Sequence, residues 1–115
     1  MSLALDRADW FIEDFERQAR WYTRKANRTV AARYLAALNK TLERLAHQPG
    51  LGHPRGFRDP DLRGLRSYRV EPPFNKHLVF YRYDSSTLYA ERVMHGARDL
   101  PHRLLTPPDE NGLVR

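Results

Sequence analysis

The sequence predicts a small α+β domain in which an N-terminal helical hairpin packs on one face of a β-sheet. Three observations support this class. In the first half of the chain, apolar residues recur at spacings of three and four, as in helices. In the second half, apolar and polar residues alternate, as in strands. A stretch rich in Pro and Gly separates the halves at residues 49–64. A chain of 115 residues fits one domain. Helices followed by strands are typical of folds in which the two kinds of element are segregated.

The N-terminal half predicts a short strand and two helices. Residues 3–5 are apolar and predict an edge strand, after which Asp6 can cap the first helix, with Asp9 in its first turn. We expect Asn27 to end this helix and Thr29 to cap the second, which stops before the Pro and Gly residues that follow. So short a connection makes the two helices fold back as a hairpin.

The C-terminal half predicts three strands and a short final helix. The strand-like runs are rich in Val, Phe and Tyr and cover residues 65–71, 77–84 and 87–95. Their short connections favour an antiparallel meander. A helix-like segment follows at residues 99–105, which gives the order (β)ααβββ with a short C-terminal helix. We therefore place a single domain at residues 1–105 and a flexible tail at residues 106–115.

The charge of the chain favours polyanionic partners. Twenty Lys and Arg residues against fourteen Asp and Glu give a net charge of +6 and a pI near 10.1. The surplus is concentrated between residues 17 and 44, where eight basic residues face one acidic residue. Nucleic acid, a nucleoprotein machine or an acidic protein would suit such a surface. A generic basic surface on a soluble domain is the alternative.

Several classes of function are excluded by what the sequence lacks. No apolar run exceeds four residues, so no segment spans a membrane, and the N-terminus does not have the pattern of a secretory signal. Because there is no cysteine, there are no disulfides and no thiolate metal sites. No cofactor-binding motif occurs, and His47 and His53 are too weak a pair to predict a metal site. We expect a cytoplasmic protein with no metal and no cofactor.

Basic and aromatic side chains recur on the three predicted strands and include Arg66, Arg69, Lys76, His77, Tyr81, Arg82, Arg92, His95 and Arg98. We expect these side chains to converge on the sheet face away from the helices. Such a cluster could bind phosphate, with His or Tyr available for proton transfer. The alternative is an ordinary solvated face with cross-strand pairs, such as Glu91 with a neighbouring arginine.

Four stretches of the chain resemble motifs of one toxin family, in the right order. Residues 48–54 (QPGLGHP) resemble the turn after the second helix of ParE-type toxins, and residues 62–69 (LRGLRSYR) resemble the strand that follows it. Residues 76–82 (KHLVFYR) and 91–99 (ERVMHGARD) resemble the two remaining strands. With the helical hairpin before them they cover residues 8–105. On these motifs the chain is identified as a member of the ParE/RelE toxin superfamily, on its ParE branch.

The resemblance implies a toxin of a type II toxin–antitoxin system, held inactive in a hetero-oligomer by a cognate antitoxin of the ParD or RelB kind. ParE-type toxins inhibit DNA gyrase without catalysing a reaction, whereas RelE-type toxins cleave mRNA on the ribosome. The RelE-type strand typically has two lysines one residue apart, where this chain has Ser67 with Arg69, or Tyr68 with Val70. That departure favours a gyrase inhibitor that arrests growth, with an mRNA endoribonuclease as the alternative. A third reading is a toxin-like binding module that no longer poisons anything.

The same resemblance assigns roles to the basic residues of the strands. For target binding we predict Arg66, Arg69, Arg82, Arg92, His95 and Arg98. A gyrase inhibitor has no catalytic residue, but for the nuclease alternative the catalytic candidates are Arg69, His77, Arg92, His95 and Arg98. A structural role for His95, bracing the end of the strand, is the alternative for that residue.

The first helix predicts the antitoxin site. Trp21 lies off the apolar stripe of this helix, so it is either exposed or packed under the second helix. An exposed apolar groove with a basic rim would suit an acidic, partly disordered partner. The predicted antitoxin-binding residues are Trp10, Trp21, Tyr22, Arg17, Arg20 and Arg24.

Overall fold

The computed structural model describes residues 2–96 and 100–108. In chain order its elements are β1 (Ala4–Arg7), α1 (Asp9–Lys25), α2 (Arg28–His47), β2 (His53–Pro54), β3 (Arg66–Arg69), β4 (His77–Tyr83), β5 (Thr87–His95) and α3 (Leu100–Leu104). The predicted α+β class, with a helical hairpin followed by a meander and a short C-terminal helix, is confirmed. Within the described residues, no helix combines the length and the apolar character needed to cross a lipid bilayer.

The sheet has five strands in the order β1-β5-β4-β3-β2. Strands β3, β4 and β5 form the predicted antiparallel meander. Strand β1 runs parallel to β5, so the sheet is mixed and not purely antiparallel. At the other edge, the two-residue β2 pairs with β3 inside the stretch rich in Pro and Gly, where we predicted only an irregular connection.

Both faces of the sheet are covered. On one face the helical hairpin contributes Phe11, Tyr34, Leu38, Leu42 and Leu45, which pack on Val79, Tyr81, Leu88, Ala90 and Val93. On the other face a smaller apolar cluster joins the connection before β3 to the strands and α3, through Leu62, Leu65, Phe80, Met94, Leu100 and Leu104. The face away from the helices, on which we expected the basic side chains to converge, is therefore partly buried.

A bulge in β5 decides which side chains face the helices. Tyr81 pairs with Ala90, but the preceding residue Phe80 pairs with Arg92, so Glu91 is an extra residue on β5. Because side chains alternate along a strand, one extra residue exchanges the faces beyond it. As a result Val93 shares the helix face with Ala90.

The ends of the helices are capped differently from the prediction. Asp6 lies in β1, and the cap position of α1 is taken by Ala8, which makes no side-chain hydrogen bond. Asn27 does not end α1, which stops at Lys25 with Ala26 as its C-cap. Instead, the Asn27 side chain accepts a hydrogen bond of 2.9 Å from the Val30 N–H and so caps α2. With Asn27 in that role, Thr29 lies inside the first turn of α2. An extended Asn before a helix reaches the free N–H groups of its first turn, which is why it replaces Thr29.

A buried tyrosine fixes the turn that follows α2. The Tyr81 hydroxyl donates to the Pro49 carbonyl at 2.6 Å and accepts from the Gly52 N–H at 2.8 Å. A Cβ atom at position 52 would overlap that hydroxyl and the ring that carries it, so only glycine fits there without movement of the ring. Two motifs that are distant in the sequence, at residues 48–54 and 76–82, are thus parts of one packing arrangement.

Candidate functional site

The residues predicted to converge on the sheet face away from the helices are not brought together there. His77 and His95 are cross-strand neighbours on β4 and β5, but their rings lie 5.0 Å apart on the side of the helices. His77 is buried and packs against Tyr22 and Tyr34, whereas His95 is exposed. Arg98 lies outside the described residues. The expected convergence on a single face is therefore wrong.

Arg66 and Arg69 bind the backbone of neighbouring turns. Arg66 donates to the carbonyls of Gly50 and Gly52, at 3.2 and 2.7 Å. Arg69 donates at 3.0 Å to the carbonyl of Asn75, in the turn between β3 and β4. Each guanidinium therefore holds a chain reversal in place.

Arg82 is engaged in the same way and also has an acidic neighbour. Its Nε atom donates to the Arg63 carbonyl at 3.0 Å, and an Nη atom donates to the Asp61 carbonyl. The guanidinium also lies 3.6 Å from a carboxylate oxygen of Glu91. The cross-strand pair that we considered as the alternative for Glu91 is thus present.

Arg92 is the most deeply engaged of the strand arginines, with 3% of its surface exposed. Its Nε and Nη2 atoms donate to both carboxylate oxygens of Asp14, at 2.7 and 3.0 Å. Its Nη1 atom donates to the carbonyls of Arg103, Leu104 and Thr106, between 2.9 and 3.2 Å. This one side chain joins α1, β5 and the C-terminal segment.

The predicted flexible tail, residues 106–115, is held to the domain at its first residue, because the Thr106 carbonyl accepts a hydrogen bond from Arg92. Residues 109–115 of this tail lie outside the described residues.

Asp14 is a residue that the sequence analysis missed. It is buried, and besides Arg92 it accepts a hydrogen bond of 3.1 Å from the Val93 N–H. Burial raises the pKa of the Asp14 carboxyl, while the hydrogen bonds and charge of Arg92 oppose that rise. The available signal was an acidic residue next to the apolar positions 11 and 15, on the face of α1 that packs against the sheet.

Asp14 begins a polar row along α1 that continues with Gln18 and Tyr22, each four residues after the last, so that all three lie on one face of the helix. Asp14 is buried, and Gln18 and Tyr22 are half-buried. Gln18 donates to the Val93 carbonyl at 2.8 Å and accepts from the Tyr34 hydroxyl. The Tyr22 hydroxyl lies 2.9 Å from Nε2 of His77. These contacts tie α1 to the end of the sheet.

His77 is uncharged at neutral pH. Burial lowers its pKa to about 3, and the charge of the neighbouring His95 acts in the same direction. Its Nδ1 atom has no hydrogen-bond partner in the part of the chain that the structure describes. A neutral, buried imidazole is suited to packing and to the hydrogen bond with Tyr22. His95 is the imidazole of this pair that a partner can reach.

Beside the polar row lies a groove of about 620 Å³ between α1 and the end of β5, which we call the α1–β5 groove. From α1 it is lined by Asp14, Arg17, Gln18, Arg20, Trp21, Tyr22 and Arg24, and from the rest of the chain by His77, Val93, Met94, His95, Arg103 and Pro108. Trp21 is 40% exposed, so it is not packed under α2. Its ring lies edge-to-face with the ring of Tyr22, and the two ring centroids are 5.2 Å apart.

The groove gathers five of the six residues predicted to bind an antitoxin and separates the sixth. Trp10 lies elsewhere, with its ring 5.2 Å from the Arg92 guanidinium, beside a second cavity of about 470 Å³. Arg20 and Arg24 make no side-chain hydrogen bond or ion pair with any of the described residues. The structure contains no group of three or more His, Asp or Glu side chains able to hold a metal ion within residues 2–96 and 100–108.

Comparison with known proteins gives a family and a fold. A family model described as "ParE toxin of type II toxin-antitoxin system, parDE" matches residues 8–100. A solved chain from the chromosomal ParDE TA system of P. aeruginosa superposes with a TM-score of 0.67 at 14% identity, covering 84% of this chain and 98% of that one. A double arginine-to-alanine mutant of the E. coli toxin RelE in the free state superposes with a TM-score of 0.54 at 15% identity, covering 98% and 100%. At these identities the two structures show the fold alone. No curated protein matches the chain.

Proposed function

Because the chain belongs to the ParE toxin family of type II toxin–antitoxin systems, we propose that it inhibits DNA gyrase in the cytoplasm. We propose also that a cognate antitoxin of the ParD kind neutralises it in a hetero-oligomer. The family match over residues 8–100 is the observation that carries the proposal. The antitoxin follows from membership, since a type II toxin is kept with its antitoxin; gyrase as the target is the finer inference.

The hydrogen bonds that the strand arginines make within the protein support the proposal that the toxin inhibits its target by binding and not by catalysis. A nuclease needs groups that can reach the phosphate and exchange protons with the substrate. Among the catalytic candidates, His77 and Arg92 are buried, and Arg69 holds a turn. An inhibitor needs only a complementary surface, in which a few residues dominate binding.

The α1–β5 groove supports the antitoxin part of the proposal. It combines the exposed Trp21 ring with the guanidinium groups of Arg20 and Arg24, so an acidic segment with an apolar side chain would be complementary to it. Trp10, at the opposite end of α1, would contact a second part of the same antitoxin. A partner that spans both sites would follow the length of α1.

One observation favours the alternative, a ribosome-dependent endoribonuclease. His95 is exposed in the α1–β5 groove, where Arg20, Arg24 and Arg103 also lie. An imidazole beside several guanidinium groups is a combination that can move a proton and bind a phosphate. We therefore keep this reading as the second candidate.

The two candidate functions can be distinguished in the first minutes after the toxin is expressed in its native host without antitoxin. We expect growth to stop, linear DNA to accumulate through trapped gyrase, and ribosome-bound mRNA to stay intact; co-expressed antitoxin should restore growth. Early mRNA cleavage without DNA breaks would replace the gyrase proposal with the nuclease. Soluble toxin that leaves growth unchanged would show a binding module that has lost its toxicity.

A further inference from the structure

We propose that the α1–β5 groove binds single-stranded DNA, with the phosphates on its arginines and a base on Trp21. The inference rests on the proposed function, because gyrase is the target that would present cleaved and locally unpaired DNA to the toxin. It adds that the toxin contacts the DNA of that complex as well as the enzyme. It follows that an antitoxin in this groove would neutralise the toxin by excluding the DNA.

The charges of the groove lie along a line. Arg17, Arg20 and Arg24 follow one another at intervals of three and four residues, so they recur along one face of α1 roughly every 5 Å. Guanidinium groups arranged in a row suit a linear chain of phosphates better than a single small anion. The position and the positive charge of these side chains therefore favour a nucleic-acid backbone as the ligand.

The other side of the groove is cationic as well. Arg103 donates to the His95 carbonyl at 3.2 Å, so its guanidinium is held at the end of β5. Asp14 is the one acidic side chain among the described lining residues, and its carboxylate is buried against Arg92. A backbone lying between α1 and β5 would meet positive charge from both walls, and among the described lining residues it would meet no exposed carboxylate.

The exposed ring of Trp21 selects for unpaired bases. The ring of Trp21 is 40% exposed and is steadied by Tyr22 on one side. Single-strand binding sites combine a positive groove with an aromatic side chain on which a base stacks, whereas the bases of a duplex are already stacked and cannot use the ring.

A peptide strand would find few backbone partners in the groove. The part of β5 that forms one wall is paired with β4 on one side. On its other side the Val93 N–H donates to Asp14, and the carbonyls of Val93 and His95 accept from Gln18 and Arg103. A bound peptide would therefore depend mainly on side chains, so the row of arginines and the tryptophan favour the nucleic acid. An acidic peptide is nevertheless a measurable competitor.

The proposal is tested by measuring the affinity of the full-length toxin for a labelled twelve-nucleotide oligo(dT) by fluorescence anisotropy. Arg20→Glu/Arg24→Glu is compared with a control, Arg33→Glu/Lys40→Glu, which changes the net charge equally on exposed positions of α2. We expect the groove pair to lose at least about tenfold in affinity and to flatten the salt dependence, while the control stays within about threefold. Trp21→Leu should weaken binding severalfold at unchanged salt dependence. Matching circular dichroism spectra establish that the variants are folded.

Four results would overturn the proposal. These are no binding of oligo(dT) at low salt, equal losses in the groove pair and the control, tighter binding of the matching oligo(U), and tighter binding of oligoglutamate of equal charge. Tighter binding of RNA would favour the ribosomal target. Inhibition of purified gyrase is measured separately on supercoiled plasmid. A toxin that inhibits gyrase but binds no oligo(dT) leaves the proposed function intact and refutes this inference alone, and the reverse result refutes the gyrase target.

Discussion

The arginines of the sheet and the arginines of α1 carry the same charge but have different surroundings. Arg66, Arg82 and Arg92 each donate to backbone carbonyls of other segments, and Arg92 is almost completely buried. Arg20 and Arg24 of α1 are exposed and point to a groove without a bond to any described residue. A guanidinium has five donors, so next to an irregular connection with free carbonyls it becomes part of the structure. On a regular helix the carbonyls are already bonded and the guanidinium stays available to a partner.

The structural role of the sheet arginines is tested most strongly at Arg92. Replacing Arg92 with Leu leaves the Asp14 carboxylate buried without its cationic partner and removes three hydrogen bonds to backbone carbonyls. We expect a loss of about 3–5 kcal/mol in the free energy of unfolding, measured by chemical denaturation. The double variant Asp14→Leu/Arg92→Met should recover much of this loss, because no charge is then left unpaired. If Arg92→Leu kept the wild-type stability while toxicity disappeared, Arg92 would be a target-binding residue and the comparison would fail.

The glycines of the turn that Arg66 holds give the next largest effect. A methyl group at Gly52 would collide with the buried ring of Tyr81, whereas at Gly50 the nearest side-chain atom is the Tyr83 hydroxyl, at 3.9 Å. We expect Gly52→Ala to lose up to about 3 kcal/mol of unfolding free energy through overpacking. Gly50→Ala is the matched control and should change it by less than about 0.5 kcal/mol. Equal effects would mean that the turn yields easily and that the bonds of Tyr81 and Arg66 do little to hold it.

Burial separates the two histidines as it separates the arginines. The pKa of His77 is lowered to about 3 in the folded protein, so between that pH and about 6.5 the unfolded chain binds a proton that the folded chain excludes. Stability therefore falls as the pH falls through this window, by about 2 kcal/mol between pH 7 and pH 5. His77→Phe should remove that part of the pH dependence in urea unfolding, and His102→Gln, at an exposed position, should not. An unchanged slope in His77→Phe would show that His77 is protonated in the fold.

Much of the fold follows from local signals, and the arrangement of the site does not. Helical and alternating periods, with short connections, predict α1, α2 and the meander of β3, β4 and β5. The bulge at Glu91 leaves no mark in the alternation, yet it decides which side chains face the helices. The partnership of Asp14 with Arg92 joins residues 78 positions apart, so no local pattern indicates it. Sequence alone gave the basic residues; only the tertiary contacts separate structural arginines from available ones.

The smallest effect on stability is expected at His95, where the consequence for mechanism is greatest. The His95 side chain is exposed and only stacks edge-on against His77, so His95→Ala should change the free energy of unfolding by no more than about 0.5 kcal/mol. For a gyrase inhibitor, the loss of one contact reduces toxicity in a graded way, by about 1–3 kcal/mol of target binding where the contact is a hot spot. For a nuclease, the loss of its accessible imidazole would lower cleavage by about 10²–10⁴-fold. Growth after induction, with antitoxin binding as the check on folding, distinguishes the two. A folded His95→Ala protein without any toxicity, together with wild-type toxin that cuts mRNA on purified ribosomes, would establish His95 as a catalytic residue and replace the gyrase inhibitor with the endoribonuclease.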